Sequence, residues 1–116
     1  MADDLLELRS AALKALGQPT RLRILELLRN GERCVCEIFP AIEEEQSNVS
    51  RHLAVLRSAG LVASRKEGLN VHYRVKDPRL FDLLDGVDAV LNTHFQERHH
   101  IARRLAARHG RSTPGS

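Results

Sequence analysis

Gln46-Ser47-Asn48-Val49-Ser50-Arg51-His52-Leu53 is the stretch on which the fold turns. Val49, Leu53 and, further on, Leu56 fall at i, i+4 and i+7, the spacing of one helix face. The other residues from Gln46 to His52 are polar, and Gly60 is suited to close the helix. A narrow apolar stripe behind a polar front is the pattern of a helix that enters a DNA groove. Arg51 offers a guanidinium suited to guanine or phosphate, and the side-chain amides suit adenine. Ser47 and Ser50 can hold phosphate oxygens. An ordinary helix start explains part of the same pattern, because Ser and Asn also cap helices. The candidate DNA-contacting residues here are Gln46, Ser47, Asn48, Ser50, Arg51 and His52.

Upstream, Glu43-Glu44-Glu45 reads as an acidic turn, preceded by a short segment from about Cys34 to about Ile42. Pro40 should shorten or kink that segment. Downstream the period changes from helical to alternating. Leu61 to Arg65 and Val71 to Val75 read as strands, with Val71, Tyr73 and Val75 on one face and His72 and Arg74 on the other. Lys66 to Asn70 reads as the hairpin tip. Arg65 and Lys66 can grip a DNA backbone or enter a minor groove, although a solvated tip would carry the same charges. Further out, Leu5, Leu6, Leu8, Ala12, Leu13 and Leu16 recur at helical spacing up to Gly17. Pro19 opens a second helix with Leu22, Leu25 and Leu28 on one stripe. Asp77-Pro78 opens a long last helix whose apolar side includes Leu80, Leu83, Leu84, Val87, Val90 and Leu91. The order helix, helix, helix, helix, hairpin, helix is mostly α with a β-hairpin wing, a winged helix-turn-helix. Residues 1–109 read as one domain and 110–116 as a disordered tail.

Size and composition narrow the function. A chain of 116 residues buries a modest core, so its apolar stripes invite a second copy. Leu5 and Leu8 on the first helix and Leu83, Val87 and Leu91 on the last are the candidate dimerisation residues. A two-fold dimer would read an inverted repeat in double-stranded DNA. The net charge of +3 and a pI near 9.3 are compatible with nucleic acid. With no Trp, one Tyr and three Phe, the chain lacks the aromatic platforms of single-strand binders. It has no apolar run of about 18 residues, hence no expected membrane span. The start Met-Ala-Asp-Asp has no signal-peptide pattern, which points to the cytoplasm. No phosphate loop, His-Glu-x-x-His or nucleophile elbow is present, so an enzyme is not expected. A small thiol reductase would need Cys-x-x-Cys in a βαβ context.

The two cysteines stand in Cys34-Val35-Cys36-Glu37-Ile38, just before the acidic turn. Such a pair in a cytosolic chain points to metal or redox chemistry rather than a structural disulfide. Cysteines are also common small core residues, and packing alone is the competing reading. A helix N-terminus lowers thiol pKa, and thiolates select thiophilic ions. On a regular helix, i and i+2 point about 200° apart. Both sulfurs can therefore hold one ion only where the turn is non-helical or distorts. A second cluster, His94, Glu97, His99, His100 and His109, lies on the last helix. His94 and Glu97 have the i, i+3 spacing of paired ligands, and a solvated, mildly pH-sensitive face explains them as well.

Several motifs in order resemble the ArsR/SmtB metal-sensing repressors over roughly residues 10 to 85. Gly17-Gln18-Pro19-Thr20-Arg21-Leu22-Arg23-Ile24-Leu25 is similar to that family's second-helix opening. Cys34-Val35-Cys36-Glu37 is similar to its arsenic-type effector motif. Val49-Ser50-Arg51-His52-Leu53, with Leu56-Arg57 and Ala59-Gly60-Leu61-Val62, is similar to its recognition helix and first strand. Arg65-Lys66-Glu67-Gly68 and Val71-His72-Tyr73-Arg74 are similar to its wing. The resemblance implies a homodimeric repressor that leaves its operator when arsenite, antimonite or another thiophilic ion binds Cys34 and Cys36. The arsenic motif's third cysteine, three positions after the second, is Phe39 here, which leaves two thiolates. Residues 1–33 hold no Cys or His, which excludes the form that uses N-terminal cysteines. The family's zinc form adds an Asp-x-His at 13 and 11 residues before the first ligand; counting back from His94 gives Phe81 and Leu83, which cannot ligate. Oxidants or sulfur species acting on the same thiols, and zinc on the last-helix histidines, are the alternative effectors.

Overall fold

A computed structural model describes residues 2–108. His109 and the expected tail 110–116 lie outside the described residues. The elements are α1 (Ala2–Leu16), α2 (Pro19–Leu27), β1 (Arg33–Cys34), α3 (Val35–Ala41), α4 (Gln46–Ser58), β2 (Val62–Glu67), β3 (Asn70–Val75) and α5 (Arg79–Arg108), with a 3-10 turn, Leu28–Asn30, after α2. The chain divides into two units, Met1–Leu80 and Phe81–Ser116.

In the first unit the core is built on α4. Val49, Leu53 and Leu56, the stripe expected from spacing, are fully buried. Against them pack α1, α2 and α3, which bring Ala15, Leu16, Ile24, Leu25 and Ile38, while Leu28 from the 3-10 turn and Val62 and Tyr73 from the sheet complete the core. Burying each of the larger side chains contributes roughly 1.5–3 kcal/mol. On α2 Ile24 and Leu25 are buried, as is Leu28 in the 3-10 turn that follows, and Leu22 is exposed. That helix is apolar on more than one face, so spacing alone does not choose which face turns inward; contact with α4 does.

The sheet has the order β1-β3-β2 and is antiparallel throughout. Strand β1 was not expected. It is two residues long, pairing Arg33 with Tyr73 and Cys34 with His72, too short to show any alternation. The hairpin is tighter than the sequence implied. Pairing runs out to Glu67 opposite Asn70, so Arg65 and Lys66 belong to β2 and only Gly68-Leu69 remain in the turn. Gly68 has φ 63°, which a glycine adopts without steric cost at the first central position of such a turn.

Two helix ends set the helix-turn-helix. At the end of α4, Leu61 N–H donates to Leu56 C=O and Gly60 N–H to Arg57 C=O, a Schellman closure. At the end of α3 the same pattern recurs, with Glu44 N–H to Phe39 C=O and Glu43 N–H to Pro40 C=O. The left-handed position there is Glu43, φ 55°. Pro40 sits inside α3, which ends one residue later. Asp77 caps α5 by accepting from Arg79 N–H at 2.9 Å. In the second unit, Leu83, Val87, Val90 and Leu91 lie exposed along α5.

Candidate nucleic-acid interface and thiol pair

The front of α4 presents Gln46, Ser47, Ser50 and Arg51 to solvent, with Asn48 and His52 half-buried. Their order is set by polar contacts. Glu44 Oε2 accepts from Asn48 Nδ2 at 2.8 Å, and Asn48 Oδ1 accepts from Arg51 Nη2 at 2.9 Å. The three are spaced i, i+4 and i+7, so the acidic turn orients the amide and the amide orients the guanidinium. His52 Nδ1 accepts from Arg21 Nε at 3.1 Å. Burial first, then the charges of Arg21 and Arg51, lower the pKa of His52 below its ordinary value, against the opposing pull of Glu44. The ring is therefore neutral at pH 7.

On the wing, the two candidate cations differ. Arg65 is held by Glu32, with contacts of 2.8 Å from Nε and 2.6 Å from Nη2, and by Glu67 at 3.0 Å. Those carboxylates, Glu32 first, raise the guanidinium's pKa. His72 lies beside the same two carboxylates, 3.9 Å from Glu32 and 3.6 Å from Glu67. Lys66 is exposed and has no ion pair among the described residues. A further basic residue, Arg57, bridges α4 to the wing by donating to Ser64 Oγ at 3.1 Å.

Cys34 and Cys36 come together at the start of α3. Cys34 is the N-cap, extended at φ −69° and ψ 143°, so the turn between the two is not helical. The Cα atoms are 5.1 Å apart and the sulfurs are joined as a disulfide. The sequence points to metal or redox chemistry for this pair, and the two sulfurs do meet at one turn. The reason is the extended N-cap, which removes the 200° divergence of a regular helix. Cys34 Sγ accepts from Cys36 N–H at 3.2 Å, and Glu37 Oε1 accepts from Cys34 N–H at 3.2 Å, completing a capping box. Cys34 is buried and Cys36 exposed. Phe39, at the place of the absent third thiol, is half-buried on the same short helix. On α5, His94 and Glu97 are both exposed. Among the described residues no group of three His, Cys, Asp or Glu side chains is placed to hold a metal ion, and no helix is long and apolar enough to cross a membrane.

Residues 18–64 match the model of the bacterial regulatory proteins of the arsR family. The solution structure of a homodimeric winged helix-turn-helix DNA-binding domain from Mycobacterium bovis, described as a possible ArsR-family transcriptional regulator, is 35% identical. It superposes with a TM-score of 0.75 over 85% of this chain and 92% of that one. The chain belongs to the ArsR family. An uncharacterised HTH-type transcriptional regulator of Methanocaldococcus jannaschii is 45% identical over 76 residues, 65% of this chain and 85% of that protein. The arsenical resistance operon repressor of Escherichia coli is 49% identical over 63 residues, 53% of this chain; the chain spans 54% of that protein's length.

As an ArsR-family member the chain is a winged-helix DNA-binding regulator of transcription, not an enzyme. The polar front of α4 and the spacing of the two cysteines are legible in the sequence; the residues that orient them are not. Arg21 lies 31 residues from His52 and Glu32 lies 33 from Arg65, distances at which no local spacing rule operates. Glu44 was findable, since it stands four residues before Asn48.

Proposed function

We propose that the chain is a cytoplasmic, homodimeric repressor that leaves an inverted-repeat operator when arsenite or antimonite binds Cys34 and Cys36. The observation that carries this reading is the meeting of the two sulfurs at the start of α3, the helix packed on α4. The effector would act on the reduced pair. Arsenous acid and two thiols give two As–S bonds and release two waters, with one hydroxyl left on arsenic and no change of oxidation state. Arsenic's third position then stays open to water or a small thiol. Closing that ring favours one shape of the α3 start, and DNA favours another through α4, so each ligand weakens the other. The likeness to the Escherichia coli arsenical resistance operon repressor supports the effector class. Support for a dimer comes from the exposed apolar residues of α1 and α5 and from the likeness to the homodimeric Mycobacterium bovis domain.

The disulfide favours a second reading, in which an oxidant removes two electrons and two protons from the dithiol and changes the same turn. Operator release, followed by fluorescence anisotropy, separates the effectors. The duplex is taken from the promoter of the chain's own gene, with a phosphine keeping the thiols reduced. Arsenite should release the duplex at one ion per protomer, with an affinity that shifts when a small thiol is added. Release by diamide alone, with arsenite inert, would replace the metalloid by oxidation. Release by zinc alone, lost in His94→Ala, would move the switch to α5.

A further inference from the structure

Among residues 46–52, His52 is the one whose described hydrogen bond reaches a distant element. Its partner Arg21 is itself held by three further hydrogen bonds. Arg21 Nη1 donates to the carbonyls of Lys14 at 3.4 Å and Ala15 at 3.2 Å, in the last turn of α1, where Lys14 C=O also accepts from Gly17 N–H at 3.2 Å. Gln18 Oε1 accepts from Arg21 N–H at 2.9 Å, capping α2. One guanidinium therefore ties the end of α1 and the start of α2 to the middle of α4.

The chemistry of that bond determines the state of the ring. Arg donates only, and its guanidinium stays protonated. A bond from Arg21 Nε to His52 Nδ1 requires Nδ1 to be a bare acceptor, so the ring's proton sits on Nε2. No described group bonds to Nε2, and the ring is half-exposed. We propose that Arg21 is a positioning residue for DNA reading, which locks His52 as a neutral Nε2–H donor. So held, His52 can serve a base acceptor such as guanine O6 or N7, adenine N7 or thymine O4. It rejects the amino donors of cytosine and adenine. The proposal rests on the reading of α4 as the helix that enters the groove.

The surroundings act in the same direction. The charged groups facing the ring are Arg21 from α2, Arg51 from α4 itself and Glu44 from the α3–α4 turn. Desolvation and the two arginines outweigh Glu44, so the neutral ring persists below the pH at which a free histidine would take a proton. Protonation at Nδ1 would set an N–H against Arg21 and end the lock.

The test uses the full chain labelled with 15N-histidine, read by multiple-bond NMR and assigned by loss of signals in His52→Gln. In wild type, Nδ1 of His52 should show a non-protonated shift and Nε2 a protonated one. This pattern should hold both free and on a duplex selected by the wild-type protein from a random library. In Arg21→Met the pattern should relax toward a tautomer mixture and the ring should protonate at higher pH. Discrimination at one base pair should drop about tenfold, within the range of a single base contact, and the salt slope should not change. A protonated Nδ1 in wild type would overturn the proposal without recourse to any variant. An Arg21→Met protein that loses affinity equally for all duplexes would reduce Arg21 to a structural role. If Arg51→Ala binds the selected duplex as tightly as wild type, the premise about α4 fails, whatever the tautomer.

Discussion

Cys34 combines a structural role with a candidate chemical one, and the two can be separated by substitution. As N-cap of α3 its sulfur accepts from Cys36 N–H, a duty that serine performs better than cysteine. With the thiols kept reduced, Cys34→Ser should therefore leave thermal and urea stability unchanged or slightly raised. Cys34→Ala, which removes the acceptor, should cost about 1 kcal/mol. A loss of that size in the serine variant would mean that the buried side chain matters for packing rather than capping. On the wing, Lys66→Ala should weaken all duplexes about equally and reduce the salt slope by about 1. Arg65→Ala should change that slope less, because Glu32 and Glu67 already balance its charge. Equal slopes for the two would show that DNA takes Arg65 from its carboxylates. At this scale the residue types on α4 and in the thiol pair were legible from spacing. Their orienting partners Arg21 and Glu32 were not, because folding brings them in from distant sequence.

Among the elements, the α3–α4 turn carries measurable strain. Glu43 sits at φ 55°, a conformation that costs a non-glycine residue roughly 1–2 kcal/mol. Glycine avoids that cost but loses about 0.5–1 kcal/mol in unfolded-chain entropy. Glu43→Gly should thus stabilise the protein by up to about 1.5 kcal/mol in urea melts. Clear destabilisation would mean that the Glu43 side chain makes a contact worth more than the strain. Helix α4 was legible to its last turn, since Val49, Leu53, Leu56 and Gly60 state both its face and its end. Strand β1 was not, because two residues cannot show a period and its pairing depends on β3, nearly forty residues away. Of the expected α2 stripe, Leu25 and Leu28 are buried and Leu22 is not, for a related reason: Leu22 and Ile24 are both apolar, and packing on α4 selects between them.

For the whole molecule, the account requires two copies. Leu5, Leu8, Leu83, Val87 and Leu91 are all exposed, which is unfavourable for helices this apolar unless a partner covers them. Sedimentation at micromolar concentration should show a dimer, and Leu91→Arg should shift it toward monomer and weaken operator binding. A wild type that sediments only as monomer would contradict the assembly. The winged helix-turn-helix was legible at this scale because element order and turn residues agreed with the apolar periods. The effector was less so: the sequence places two thiols side by side, and their chemistry with an ion depends on their redox state. The central claim, that this pair gates DNA binding, is tested most directly by titrating arsenite into the operator complex of wild type, Cys34→Ser and Cys36→Ser under reduction. The account predicts three proteins that bind the duplex alike, with only wild type released, its affinity falling up to about a hundredfold; equal arsenite sensitivity in all three would contradict it.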